Sequence, residues 1–170
     1  MKVIANSGPI IALAKLGLLG LLKELYGPIV IPLKVYDEVV IKGQQRGEDD
    51  AKVVGRAINL GLIIVEDISE ASFSEEIKLL PLHGGEKAVI HLSLELQADI
   101  ALLDDKLARD TAKNFGIKIK GTLGVIIDGY RKRLLTENDV NLLFNEIIAR
   151  DDIWIARPFV DKIRDEFKNI

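Results

Sequence analysis

GGEKAVIHLSLELQADIALLDDKLARDTAKNFGIKIKGTLGVIIDGYR, residues Gly84 to Arg131, is the stretch whose reading decides the fold. The Gly84-Gly85 pair opens a segment with apolar residues at helical spacing that runs to about Leu96. Ile100 to Leu103 is short and apolar and reads as a buried strand; Asp105 to Phe115 returns to helical spacing, Ile117 to Ile119 reads as a second strand and Thr122 to Arg131 as a helix. Strands that alternate with crossover helices imply a mostly parallel sheet covered on both faces, so the expected class is α/β.

The same alternation continues toward the N-terminus. Lys2 to Ala5 reads as a buried strand, Ile10 to Leu22 as a helix ending near Gly27, Ile29 to Ile31 as a strand enclosed by Pro28 and Pro32, and Leu33 to Ile41 as a helix. Lys42 to Asp50 is polar and reads as a loop, Ala51 to Leu60 as a helix and Leu62 to Val65 as a strand, while Ser72 to Leu79 admits no single reading. Two helices, Glu137 to Ala149 and Pro158 to Phe167, complete the chain. With 170 residues and no repeat, linker or low-complexity tract, one domain over residues 1–170 is expected, with a helical extension over 136–170.

Composition limits the chemistry. No cysteine is present and the only histidines are His83 and His91, so a thiolate site is excluded and an imidazole cluster nearly so. Any metal must therefore sit on oxygen ligands, which favours Mg²⁺ or Mn²⁺. The apolar N-terminal stretch is broken by Asn6, Pro9, Lys15 and glycines, so neither a signal nor a membrane span is expected, and the protein is expected to be cytoplasmic. The net charge of -3 offers no global attraction to nucleic acid; binding there would need a local basic patch or bound cations.

In open α/β sheets, sites form outside the carboxyl ends of the strands. The residues to inspect are Asn6-Ser7 after the first strand, Asp37-Glu38 in the helix after the second, Glu86 in the first turn of the Gly84-Gly85 helix, and Asp104-Asp105 after the Ile100 to Leu103 strand. Glu86 has Val89 and Ile90 at i+3 and i+4, which turns its carboxylate toward the core, and Glu38 has Val35 at i−3. A buried carboxylate must pair or protonate, whereas several around a dication offset one another. Each residue has a second reading: Asp104-Asp105 as an N-cap pair with Asp105 bound to Arg109, which taken alone is the better one, Glu86 as a dipole partner, Glu38 as a solvated helix residue and Asn6-Ser7 as a cap.

Four segments in order carry a family resemblance: VIANSGPIIALAKLG (3–17), IPLKVYDEVV (31–40), HGGEKAVIHLSLEL (83–96) and ALLDDKLARDTAKNFGIKIKGTLGVI (101–126). Together they resemble the PIN-domain superfamily, nearest to its DUF3368-type branch related to VapC-like ribonuclease toxins, over about Val3 to Ile127. The resemblance implies a Rossmann-like three-layer α/β/α fold and a Mg²⁺- or Mn²⁺-dependent ribonuclease site. By motif its acids fall on Glu38, Glu86 and Asp105, with Asp104 as an additional candidate. The first acidic position of the family is held by Asn6, which offers an amide oxygen without charge.

The implied metal ligands are thus Asn6, Glu38, Glu86, Asp104 and Asp105, with Ser7 and Thr122 as hydroxyls that orient water or phosphate or else cap helices. Lys106 and Arg109 are phosphate-binding candidates, as readily read as a solvated surface, and His83 and His91 are assigned to local hydrogen bonds. Implied partners are single-stranded RNA, an antitoxin protein and a second copy of the chain. Asn6 favours a rival reading, a weakened PIN-like nucleic-acid-binding or regulatory module. A different Mg²⁺-dependent phosphotransferase, for which the sequence carries no phosphate loop, and a purely structural subunit with its acids in solvent are the other rivals.

Overall fold

The computed structural model describes residues 1–169. In chain order its elements are β1 (Val3–Ala5), α1 (Ser7–Lys15), α2 (Leu19–Tyr26), β2 (Ile29–Pro32), α3 (Leu33–Tyr36), a π-helical turn (Asp37–Ile41), α4 (Lys42–Gln45), α5 (Asp49–Asn59) and β3 (Ile63–Glu66). A 3₁₀ turn (Glu70–Ser72), α6 (Glu75–Lys78), α7 (Gly84–Glu95), β4 (Ile100–Leu102), α8 (Lys106–Asn114), β5 (Ile119–Lys120), α9 (Thr122–Arg131), α10 (Glu137–Ala149) and α11 (Arg157–Phe167) follow.

The strands form one sheet in the order β3-β2-β1-β4-β5, and every pairing is parallel. Val3, Ile4 and Ala5 of β1 are wholly buried, as a central parallel strand with helices on both faces requires. At the edge, β3 alternates instead, with Ile63 inward and Ile64 and Glu66 exposed. The chain leaves β1 toward β2 and β3, then returns to β1's other side for β4 and β5, so strand order reverses between β1 and β4. A crevice opens at the carboxyl ends of the strands at such a reversal.

Two sequence expectations need correction, and one open segment finds its structure. The helix expected over Ile10 to Leu22 is two helices. Gly17 adopts φ +70°, its N–H donates to the Ala14 carbonyl, and the Leu18 N–H donates to the Leu13 carbonyl at 2.8 Å. This is a Schellman ending, and the apolar spacing runs straight through it because both helices face the same core. The expected loop at 42–50 is largely helical, since the helix begun at Leu33 passes through the π turn into α4 and α5 starts at Asp49. Here a tertiary contact overrides composition: a Cβ on Gly43 would stand 2.8 Å from Ala51 Cβ, so glycine lets the two helices touch. The undecided 72–79 segment holds the end of the 3₁₀ turn and α6, whose first turn is capped by Ser74.

Two apolar clusters hold the molecule together. The larger surrounds the sheet. The smaller joins Leu123 and Ile126 of α9 to Val140, Phe144 and Ile147 of α10 and to Val160 and Phe167 of α11, with Ala12 of α1. Among the described residues no helix is long and apolar enough to cross a membrane.

Candidate active site

Asn6 leaves β1 with its N–H donating to the Leu102 carbonyl of β4 at 3.1 Å, which sets it at the strand-order reversal. It occupies the N-cap of α1, yet its side chain makes no capping bond. Its Oδ1 is buried without a hydrogen-bond partner. A buried carbonyl oxygen left unpaired costs about 1–3 kcal/mol, so this atom awaits something positive or a donor. Where a Cβ on Gly85 would stand, Asn6 Oδ1 lies 3.2 Å and Glu38 Oε2 3.4 Å away. The absent side chain of Gly85 thus leaves a space bordered by an amide oxygen and a carboxylate oxygen.

Glu38 itself is exposed and sits on the π turn, with buried Val35 a turn before it. Glu86, at the third position of α7, is only 8% exposed, and Val89 and Ile90 beside it are wholly buried. Its Oε2 accepts the His83 N–H at 3.0 Å. Burial pushes the Glu86 pKa above the ordinary value, and the negative charges of Asp105 and Glu38 push the same way against the His83 N–H. Asp105 caps α8, its Oδ1 accepting the Ala108 N–H at 2.9 Å. The charges of Glu38 and Asp105 thus both act on Glu86, each from a different element.

Asp104 turns elsewhere. Its Oδ1 accepts the Thr122 N–H at 2.7 Å and its Oδ2 the Thr122 hydroxyl at 2.6 Å. Burial raises its pKa, although both Thr122 bonds and the Arg109 charge oppose the rise. A Cβ on Gly121 would stand 2.8 Å from Asp104 Oδ1, so glycine there makes room for the carboxylate. The Asp105–Arg109 pair of the alternative reading is not formed; the Arg109 guanidinium acts on Asp104 and lies 5.5 Å from the ring centroid of Phe159.

No group of three or more His, Asp or Glu side chains among the described residues is placed to hold one ion. The donor set nevertheless fits a hard cation: an orphaned amide oxygen faces a carboxylate oxygen across Gly85, with a buried carboxylate nearby. Mg²⁺ commonly takes one or two carboxylates and completes its shell with water and substrate phosphate. Asn6, Glu38, Glu86 and Asp105 would be the residues to hold it.

The family model for the DUF3368 PIN domain matches residues 2–169. The chain belongs to this family of PIN domains. The match runs past the four motifs that suggested it, through α10 and α11. No curated protein matches the sequence significantly. Two solved structures do. A PilT N-terminus domain protein, SSO1118, from Sulfolobus solfataricus P2 is 21% identical over 74% of this chain and 90% of its own, with a TM-score of 0.49. A domain of a functionally unknown protein from Methanocaldococcus jannaschii is 23% identical over 71% of this chain and 89% of its own, with a TM-score of 0.46.

In this PIN domain the remaining candidates disperse. Ser7 is buried at the first position of α1, and Thr122 is wholly buried and committed to Asp104. Lys106 is almost fully exposed and pairs with Asp110 at 3.3 Å. His91 contacts the Ser72 hydroxyl at 3.2 Å and packs on Phe73, in keeping with a local role. Sequence reasoning missed Gly85 and Lys34. The Lys34 ammonium lies 3.5 Å from where a Cβ on Gly84 would stand and pairs with Glu70 at 3.0 Å, which puts a cation at the start of α7. The double glycine was the available signal, but a helix opening explained it fully.

Proposed function

We propose that this PIN domain is a divalent-metal-dependent endoribonuclease acting on single-stranded RNA, with Asn6, Glu38, Glu86 and Asp105 as oxygen donors to Mg²⁺ or Mn²⁺. The observation that carries the reading is the buried Glu86 carboxylate, raised in pKa by burial and by the charges of Asp105 and Glu38, in the helix whose Gly85 borders the orphaned Asn6 Oδ1. A bound dication supplies an activated water and charge neutralisation at the leaving oxygen. The chain's own residues hold the geometry. The His83 N–H orients Glu86, the Ala108 N–H orients Asp105, and the start of α7 with the Lys34 ammonium favours an anionic phosphate. Asp104 acts as a positioning residue that ties β4 to α9 through Thr122. An antitoxin partner and a homodimer belong to the same proposal, through the sequence's resemblance to VapC-like proteins.

The test is cleavage of a labelled single-stranded RNA with Mg²⁺ or Mn²⁺, alongside calorimetric metal titration. Glu86→Gln should abolish cleavage and weaken metal binding; unchanged cleavage would end the nuclease reading. Asn6 favours the second reading, a weakened module that binds RNA without cutting it. Wild-type binding without cleavage, with cleavage gained in Asn6→Asp, is the outcome that selects it.

A further inference from the structure

A cavity of about 260 Å³ lies on the β5 side of the acidic residues, between α9 and α11. Its volume is just below the roughly 300 Å³ at which small-molecule pockets begin, a size for one small unit and not for a duplex. Phe159 and Leu123 give it apolar surface, and Arg109, Lys120 and Arg131 outnumber the acids of its lining, Asp128 and Glu166, in a chain whose net charge is -3. The Lys120 charge is used locally: its ammonium pairs with Asp128, which also accepts the Tyr26 hydroxyl at 2.6 Å. Arg131 reaches Asp128 only at 3.9 Å, with its side chain more than half exposed. Arg109 stands over the Phe159 ring, so the wall combines a π face with a guanidinium plane.

The cavity borders Asp104, the chain neighbour of Asp105. Gly121 lines it and stands against the Asp104 carboxylate, and Arg109 both lines it and acts on Asp104. Aromatic and guanidinium planes take unpaired bases by stacking, and arginines at the rim take the backbone phosphate. Gly124 contributes by having no side chain, since a Cβ there would stand 2.6 Å from the Lys120 stem that crosses it.

We infer that this cavity is a nucleotide subsite: it takes one base of single-stranded RNA on Phe159 and Arg109, with the adjoining phosphate on Arg131, beside the acidic site. The inference rests on the ribonuclease reading for the choice of RNA, but it is tested without cleavage. Fluorescence anisotropy of a labelled single-stranded RNA is measured in EDTA over a salt series, with thermal melting of each variant. Phe159→Leu should weaken binding roughly 5- to 150-fold, the span expected for losing one stacked base, and Phe159→Tyr should retain it. Arg131→Gln should lower the slope of log affinity against log salt by about 0.7, one phosphate contact on a single strand. Arg131→Gln and Phe159→Tyr keep the test decisive if Phe159→Leu folds poorly.

Wild-type protein that binds no RNA at low salt, or Phe159→Leu and Arg131→Gln variants that bind as wild type does, overturns the subsite. If wild type never cleaves but its binding depends on Phe159 and Arg131, the subsite holds and the nuclease reading falls. If cleavage is present and binding ignores both residues, the subsite falls and the nuclease reading holds.

Discussion

Glu86 is costly to the folded chain before any ligand arrives. A carboxyl whose pKa is raised by folding binds its proton more tightly in the native state, so it favours folding below its ordinary value of 4.5 and loses that contribution as pH rises through the raised value. At neutral pH it therefore subtracts from stability. Glu86→Gln retains an acceptor for the His83 N–H while removing the charge, so it should raise the melting temperature at neutral pH and change it little below 4.5. Parallel melting curves at the two pH values check this, and a lower melting temperature at neutral pH would show that the carboxylate is satisfied. Asn6→Asp runs the other way. It places a second carboxylate facing Glu38 across Gly85, so it should lower metal-free stability at neutral pH and increase the stabilisation by added Mg²⁺, both read by melting with and without the ion.

Between elements, the Asp104 and Thr122 pair does the joining. Both carboxylate oxygens are engaged by one residue at the start of α9, which ties the end of β4 to the helix after β5. Thr122→Val keeps the shape and the backbone bond but leaves Asp104 Oδ2 without its hydroxyl donor. The expected loss is about 1–3 kcal/mol, or roughly 2–4 °C in melting temperature per kcal/mol for a domain of this size. Denaturant unfolding measures it. Cleavage should persist in the folded fraction, because Asp104 spends both its oxygens on Thr122; its complete loss would make Asp104 a ligand. The π turn is the other feature at this scale. It widens the helix by one residue where Glu38 sits, while Val35 before it and Val39 within it both remain buried.

Across the whole molecule, the smaller apolar cluster decides whether α10 and α11 stay docked. Phe144 is its largest wholly buried side chain. Truncation to alanine should cost about 3–5 kcal/mol, measured as a lowered denaturant midpoint. Because α11 also walls the cavity, Phe144→Ala should weaken metal-free RNA binding even where the acidic residues keep their arrangement. Equal midpoints for the variant and wild type would show that the two clusters do not unfold together.

The order of strands and helices was readable in the sequence because apolar periodicity is a local property, imprinted on each segment by the face it buries. The restriction to oxygen ligands was likewise compositional, since the chain has no cysteine and two histidines. Glu86 announced its inward face through Val89 and Ile90 at helical spacing. The partition of the acids was not readable. Asp104 and Asp105 are neighbours in the chain, yet one turns to Thr122 and the other caps α8 at Ala108, because successive residues leaving a strand point in different directions and only the surrounding elements select a partner for each. The helical run at Lys42–Gln45 depends on Gly43 meeting Ala51, and the cavity on residues as far apart as Arg109 and Phe167. Such contacts are set by distance in space, which a periodicity along the chain does not record.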